Sequence, residues 1–228
     1  MRHSQPELDK RCALLSLMFV IARDTNQLCN RMFAFAHIIA CAAEHGVTVI
    51  NVAFEKYAAY FQTTSQDLLC RYPPRASPWP RDQATRERLN RIVTRIVHSL
   101  QAGRLRTLRG RRIQVLQSSY VSTLENPNGD YRLDQPEFLR QLPRHQLIFF
   151  DGPLFRDREN FSKYAENLRA YFAPLPCYGE RVEGLMRSTR ESAEVIVGVH
   201  IRQRDYRQFR QGRHYHTAPE FVPLMRAI

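Results

Sequence analysis

The sequence predicts an α/β protein with a Rossmann-like parallel sheet flanked by helices. The first observation is an apolar run over 13–21, followed by a polar loop, a helical pattern over 31–46 and a second apolar run over 47–54. Such a succession within about 45 residues is typical of a β-α-β unit, whose strands are parallel. The second observation is that apolar runs and helical patterns keep alternating along the rest of the chain, which indicates further strands of the same sheet.

The elements of the first half each have a local signal. The helix over 31–46 is rich in alanine and is expected to end at Gly46, since glycine commonly follows a helix. Segment 70–83 carries four prolines and cannot be regular, so we expect a surface excursion or a lid there. From 85 to 103 an apolar stripe predicts an amphipathic helix packed on the sheet. The stripe consists of Leu89, Ile92, Val93, Ile96, Val97 and Leu100, and His98 is interpreted as a boundary residue beside it.

The second half continues the alternation. Strands are predicted over 111–121 and 146–152, with a turn at 126–130 and a short helix from Gln135 between them. A helix is expected over 156–174, followed by a helix or linker and a near-continuous apolar strand over 195–201. The face that predicts the first of these helices consists of Phe161, Tyr164, Ala165, Leu168, Tyr171 and Phe172.

The composition is strongly basic. The formal net charge is +12 and the isoelectric point is about 10.0, and only Lys10, Lys56 and Lys163 are lysines. Because arginine binds phosphate with two parallel hydrogen bonds, a nucleic acid, an acidic membrane face or a phosphorylated small molecule is a plausible partner. The alternative is that arginine simply fills ordinary surface positions.

The cysteines and the hydropathy pattern bear on location. The five cysteines are scattered and odd in number, which is typical of reduced intracellular thiols. No apolar run reaches the roughly 18 residues that a membrane helix needs. We therefore expect no transmembrane segment and a cytoplasmic location, either free or at the inner face of the membrane.

Motif searches exclude several common classes of enzyme. The sequence has no P-loop, no dinucleotide-binding glycine motif, no G-x-S-x-G elbow and no paired-cysteine zinc site. Ligands of parallel α/β sheets bind outside the carboxyl ends of the strands. Polar residues follow three of the predicted strands, and after 195–201 Arg202 would place a forked cation at the mouth of the sheet. The alternative there is a solvated arginine-rich loop without a ligand.

Three segments resemble a known enzyme family. The sequence GVHIRQRDY over 198–206 is similar to the H-x-R-R-x-D signature of the superfamily of α1,2-, α1,6- and protein O-fucosyltransferases. NQLCNRMFAFAHIIACAAEHG over 26–46 resembles the G-x-x-G-N-Q loop and helix that begin their acceptor-side domain. DGPLFRDRENFSKYAENLRAYFAP over 151–174 resembles a segment of bacterial members, and the three matches together cover about residues 15–216.

The resemblance implies a two-domain glycosyltransferase of the GT-B type. Such an enzyme transfers fucose from GDP-fucose, or another sugar from a related GDP-sugar, to a glycan acceptor, with inversion and without a metal or other cofactor. Arg202 matches the motif arginine that binds the diphosphate and stabilises the leaving GDP. His200 and Asp205 match the residues that orient the loop and the nucleotide, and Asn30 matches the asparagine that reaches the donor.

The sequence departs from the family pattern at four positions. Gln203 replaces the second motif arginine, and Arg204, Cys29 and Asn26 stand where members commonly have small residues. Arg204 and Asn26 are unfavourable for two turns in which family members use glycine, so these turns are not certain to form here. No motif identifies an acceptor-side base, for which Asp24 and Asp151 are candidates by their positions at strand ends. The alternative for both is a helix cap or a turn.

The resemblance also divides the chain. It implies a flexible N-terminus over 1–11, an acceptor-side domain over 12–176, a linker helix over 177–194 and the incomplete start of a nucleotide-sugar-binding domain over 195–228. That second domain should need about 100 further residues. We therefore expect a truncated transferase that lacks most of its guanine pocket and whose activity is in question, unless strand 195–201 joins the first sheet or a partner completes the domain.

Two other functions remain open. The arginines and aromatic residues that alternate over 204–216 are typical of a nucleic-acid-binding module, which is a possible but weaker interpretation. The second alternative is a non-catalytic remnant or an interaction protein.

Overall fold

The computed structural model describes residues 17–23, 27–103, 112–119, 129–198, 201, 207, 208, 211, 213 and 215–226. The chain divides into two compact units, Met1–Tyr178 and Gly179–Ile228.

The first unit is built on a parallel four-stranded sheet. Its strand order is β2-β1-β5-β3, and every neighbouring pair is parallel. The two remaining short strands, β4 and β6, pair with each other in parallel. The strands are β1 (Met18–Arg23), β2 (Thr48–Asn51), β3 (Ile113–Gln117), β4 (Tyr131–Arg132), β5 (Leu147–Asp151) and β6 (Phe155–Arg156).

Helices flank this sheet, so the predicted α/β class with a Rossmann-like parallel sheet is confirmed. The helices are α1 (Leu28–His45), α2 (Gln62–Ser65), α3 (Gln83–Gln101), α4 (Pro136–Leu139), α5 (Arg158–Lys163), α6 (Ala165–Tyr171), α7 (Pro176–Ser192) and α8 (Ala218–Arg226). Short 3-10 turns lie at Val52–Phe54, Ala58–Tyr60 and Leu142–Arg144.

Both faces of the sheet are buried, which explains the near-continuous apolar runs in its strands. In β1, Phe19 and Ile21 belong to the core on the α1 side. Val20 and Ala22 instead join Val97 of α3 in a second cluster on the opposite face. This alternation is the two-residue period of an extended strand.

The predicted β-α-β unit is present. Helix α1 connects β1 to β2, and those two strands are parallel neighbours. The helix ends at Gly46, whose φ of 65° is left-handed and whose N–H donates to the carbonyl of Ala42. A left-handed residue at this position is the conformation for which glycine has no steric cost.

Helix α3 forms as predicted, but its apolar stripe is only partly covered. Val97 and Leu100 are buried, whereas Ile92 and Ile96 are 44% and 40% exposed. The stripe is wider than the surface it meets, because α3 packs against β1, β3 and the turn after β2 through one side only.

The helix predicted over 156–174 is two helices. Tyr164 leaves the helical conformation, with φ −100° and ψ 18°, and separates α5 from α6. Its hydroxyl donates to Glu44 of α1 at 3.0 Å. The predicted face still packs inward, since Leu168 and Tyr171 are buried.

The proline-rich segment 70–83 is irregular up to Gln83, where α3 begins, except for an isolated bridge between Tyr72 and Val49. Ser77 is buried within it, and its hydroxyl accepts a hydrogen bond from the N–H of Trp79 at 3.2 Å. The indole of Trp79 is 67% exposed. The segment therefore lies on the surface, as its prolines predict.

The strand predicted over 195–201 is wrong for the residues that can be checked. Residues 195–198 and 201 belong to no strand, and Val195 is 75% exposed. The apolar run has no sheet neighbour among the described residues, and an apolar run alone cannot distinguish a buried strand from an exposed segment.

Candidate functional site

The carboxyl edge of the sheet is the candidate site. Strands β1 and β5 are central neighbours; the chain leaves β1 for β2 on one side, whereas β3 lies on the other side. Ligands of open α/β sheets bind where the connections diverge in this way. Arg23 and Asp151 are the last residues of these two strands.

Arg23 and Asp151 form a two-pronged ion pair. Nε of Arg23 donates to Oδ1 of Asp151 at 2.6 Å, and Nη2 donates to Oδ2 at 3.1 Å. A shift in strand register between Ile21 and Arg23 sets Arg23 directly opposite Asp151. The Asp151 side chain is buried, but that of Arg23 is 45% exposed, so the guanidinium remains accessible at the edge.

The Asp151 carboxylate is fully engaged. Besides Arg23, the amide of Gln101 donates to it at 2.7 Å, and that of Gln117 lies at 3.5 Å. Nη1 of Arg23 in turn lies 3.4 Å from Nε2 of His98, an exposed residue in the last turn of α3. Asp151 is thus arranged to hold Arg23 in place rather than to accept a substrate proton. Asp24 lies outside the described residues.

The backbone behind this ion pair is tightly packed. Gly152 has a φ of 125°, and its N–H donates to the carbonyl of Arg23 at 3.1 Å. The N–H of Ser118 donates to the carbonyl of Asp151 at 3.1 Å. Hydrogen bonds therefore tie together the carboxyl ends of β1, β3 and β5.

A polar pocket of about 380 Å³ opens at the same edge. Thr94 of α3 lines one wall of this pocket. Its hydroxyl lies 3.5 Å from the carbonyl of Ala22, which places that wall at the end of β1. Glu55 follows the turn after β2 and supplies another wall. We call this cavity the Glu55 pocket; it is lined by Glu55, Glu87, Asn90, Arg91, Thr94 and Arg95.

An apolar cavity, also of about 380 Å³, lies between α1 and the pair α5–α6. We call it the α1–α6 cavity; its walls are Cys29, Met32, Phe33 and Ala36 from α1, and Phe161, Ala165, Leu168, Arg169 and Phe172 from the later helices. Every wall residue belongs to segment 26–46 or segment 151–174. Two segments that are more than 100 residues apart in the sequence therefore meet across one cavity.

His37 is buried behind this cavity. Its ring packs on Phe161 with centroids 4.3 Å apart and on Phe33 at 4.6 Å. Nδ1 lies 2.9 Å from the carbonyl and 3.1 Å from the N–H of Asp157, and Nε2 has no hydrogen-bond partner among the described residues. Burial lowers the pKa of His37, which favours the neutral ring. Burial also raises the pKa of the nearby Cys41 thiol well above its usual value.

The structure describes one of the four predicted site residues. Asn30 is exposed in the first turn of α1, and Gln27, which precedes the helix, makes no side-chain capping bond. His200, Arg202 and Asp205 lie outside the described residues, so their roles stay predictions.

Two charged residues at the edge were not singled out from the sequence. Arg23 is polar, follows a predicted strand and could have been chosen by that position alone. Glu55 has the same signal, because it directly follows the strand predicted over 47–54, although the structure ends that strand at Asn51 and places a 3-10 turn before Glu55.

Among the described residues, no group of three or more His, Cys, Asp or Glu side chains could hold a metal ion. Within the same part of the chain, no helix is both long and apolar enough to cross a membrane.

No protein-family model matches this chain, and no significant match was found among curated proteins or solved structures.

Proposed function

We propose that the chain is a fucosyltransferase-like glycosyltransferase of the GT-B type, with unit Met1–Tyr178 as its acceptor-side domain. The observation that supports this most is the α1–α6 cavity, in which two segments more than 100 residues apart contribute all of the walls. The same two segments carry the resemblance. The accessible Arg23 at the carboxyl edge also suits a substrate with negative charge.

The reaction is the displacement of GDP from a GDP-sugar, fucose by the resemblance, by a hydroxyl of a glycan acceptor. The bond from the anomeric carbon to the β-phosphate oxygen breaks, a bond to the acceptor oxygen forms on the opposite face, which inverts the configuration, and the proton of the acceptor hydroxyl passes to water. Negative charge grows on the leaving diphosphate, and a fixed guanidinium from Arg202 would stabilise it. His200, Asp205 and Asn30 would orient the nucleotide.

The first test is titration of the chain with GDP and GDP-fucose by calorimetry. We expect Arg202→Ala to weaken GDP binding by about tenfold or more, because it removes charge-assisted hydrogen bonds to the diphosphate. Arg213→Ala is the matched control, since it removes an exposed arginine from the same basic segment and should leave the affinity unchanged. Thermal unfolding of both variants checks that they fold.

Two results would contradict the proposal. One is that the unmodified chain does not bind GDP, or that Arg202→Ala binds GDP as tightly as the unmodified chain does. The other is tight binding of random-sequence DNA whose affinity falls steeply with salt, which would favour the nucleic-acid module. Transfer of fucose to an acceptor, lost in Arg202→Ala but kept in Arg213→Ala, would exclude a non-catalytic protein.

A further inference from the structure

A buried carboxylate oxygen that lacks a hydrogen bond lines the Glu55 pocket. Glu55 is only 7% exposed, and its Oε2 receives no hydrogen bond from the described residues. Oε2 is ion-paired with Arg31, whose Nη1 lies 3.7 Å away and donates its hydrogen bond to the carbonyl of Ala53 instead. A buried charged oxygen is stabilised when it receives hydrogen bonds. Glu55 is thus arranged to accept one from a ligand hydroxyl.

The opposite wall of the pocket offers complementary groups on α3. The hydroxyl of Thr94 donates to Oδ1 of Asn90 at 3.0 Å. This bond directs the Asn90 carbonyl toward Thr94 and leaves the Asn90 amide hydrogens available. A donor amide and an acceptor carboxylate on facing walls are the groups that bind the hydroxyls of a sugar ring.

The rim of the pocket carries two cations. Arg91 and Arg95 are four residues apart on α3, so they lie on one face of the helix. No hydrogen bond or ion pair joins either to another described residue. Glu87, the remaining charge of the lining, already accepts from the amide of Gln83 at 2.9 Å. The two guanidinium groups therefore suit a carboxylate or a phosphate.

We propose that the Glu55 pocket binds an anionic carbohydrate, a polyhydroxylated ring that carries a carboxylate or a phosphate. Ring hydroxyls donate to Glu55 and accept from Asn90, and the anionic group binds Arg91 and Arg95. If the proposed function holds, this pocket selects an acidic sugar as the acceptor. The binding itself requires only the described residues of the first unit.

The test measures the affinity of the full chain for four probes by NMR titration: glucuronate, glucose 6-phosphate, glucose and inorganic phosphate. We expect at least one of the two acidic sugars to bind about tenfold more tightly than glucose and phosphate, because each of the latter lacks one of the two groups. Which acidic sugar binds identifies the anionic group.

Variants then locate the site. Glu55→Gln keeps the volume of the side chain but removes an anionic acceptor. It should weaken the binding of the acidic sugar by about tenfold. Arg91→Ala combined with Arg95→Ala should reduce its affinity to that of glucose. Arg88→Ala removes an exposed arginine from the same helix outside the pocket and should change nothing. Unfolding curves confirm that each variant is folded.

The proposal is overturned if phosphate or glucose binds as tightly as the acidic sugars, or if Glu55→Gln leaves the affinity unchanged. These outcomes are separate from the GDP titration. If acidic sugars bind but GDP does not, the transferase proposal is contradicted and the proposal of an anionic carbohydrate site is supported. If GDP binds in an Arg202-dependent way but no acidic sugar binds, the transferase proposal is supported and the carbohydrate site is contradicted.

Discussion

Gly152 is the residue at which the candidate edge tolerates least change. A Cβ atom at this position would lie 2.1 Å from the backbone oxygen of Ser118, and the φ of 125° is strained for any other residue. We expect Gly152→Ala to lower the free energy of unfolding by about 4 kcal/mol or more, since backbone must move to relieve the clash. Urea unfolding monitored by circular dichroism measures it.

Gly46→Ala is the control for Gly152. Gly46 is also left-handed, with φ 65°, but an added Cβ would meet no atom within 4 Å. Gly46→Ala should lower the free energy of unfolding by the backbone strain alone, about 1 kcal/mol. Equal destabilisation by the two substitutions would show that Ser118 can move away, and that the edge is less rigid than its hydrogen bonds indicate.

The residues of the candidate site were predictable only in part. Arg23 follows a predicted strand, so its place at the carboxyl edge could be derived from the sequence. The partner of its side chain could not be derived. The strand register shifts after Ile21, which places Arg23 opposite Asp151 instead of continuing the regular pairing of β1 with β5. Glu55 also follows a predicted strand, over 47–54, but its burial could not be derived, since that burial depends on Arg31 and on α3, which lie in distant parts of the chain.

At the scale of elements, α7 is a helix that buries none of its faces. None of its residues is buried, and glycines stand inside it at 179 and 184. We expect Gly184→Ala to stabilise this helix by about 0.5–1 kcal/mol, because alanine loses less backbone entropy and nothing lies within 4 Å of its Cβ. Helical ellipticity at rising temperature measures the effect.

Gly198→Ala is the matched control for Gly184, because Gly198 has equally open surroundings but lies outside any helix. It should leave the ellipticity unchanged. A loss of ellipticity in Gly184→Ala would show that this face of α7 packs closely against other residues.

Most elements of the first unit were predictable because their signals are local. The alanine-rich pattern of α1 and the left-handed Gly46 belong to one short segment. The errors occur where tertiary contacts decide: the break at Tyr164 coincides with its bond to Glu44, and the exposure of Ile92 depends on how much of α3 the sheet covers. The apolar run at 195 failed for the same reason, as burial requires neighbours.

At the scale of the whole molecule, apolar burial is uneven. Of the residues that the structure describes, all buried hydrophobic ones lie in Met1–Tyr178, and none in Gly179–Ile228 is buried. We expect amide hydrogens in the middle of α1 to exchange more than about a hundredfold more slowly than those of α7, because local opening is cheap where few apolar contacts are lost. Hydrogen exchange followed by mass spectrometry provides the comparison.

Helix α8 is the internal reference for that measurement. Thr217 donates from its hydroxyl to Glu220 at 2.8 Å, a cap that helps the helix to start. Its amides should exchange in the range of those of α7 despite this cap, because a cap is worth only about 1 kcal/mol. If α7 is instead as protected as α1, the two units unfold as one.

The surface position of the proline-rich segment has a spectroscopic consequence. Trp79 is the only tryptophan of the chain and is largely exposed, so its emission is already that of an indole in water before the protein unfolds. Loss of the core will scarcely shift this emission, and the aromatic residues that do fill the core are phenylalanines and tyrosines. A blue shift on adding a ligand would therefore report that the surroundings of Trp79 in segment 70–83 become less exposed to water, independently of the stability of the fold.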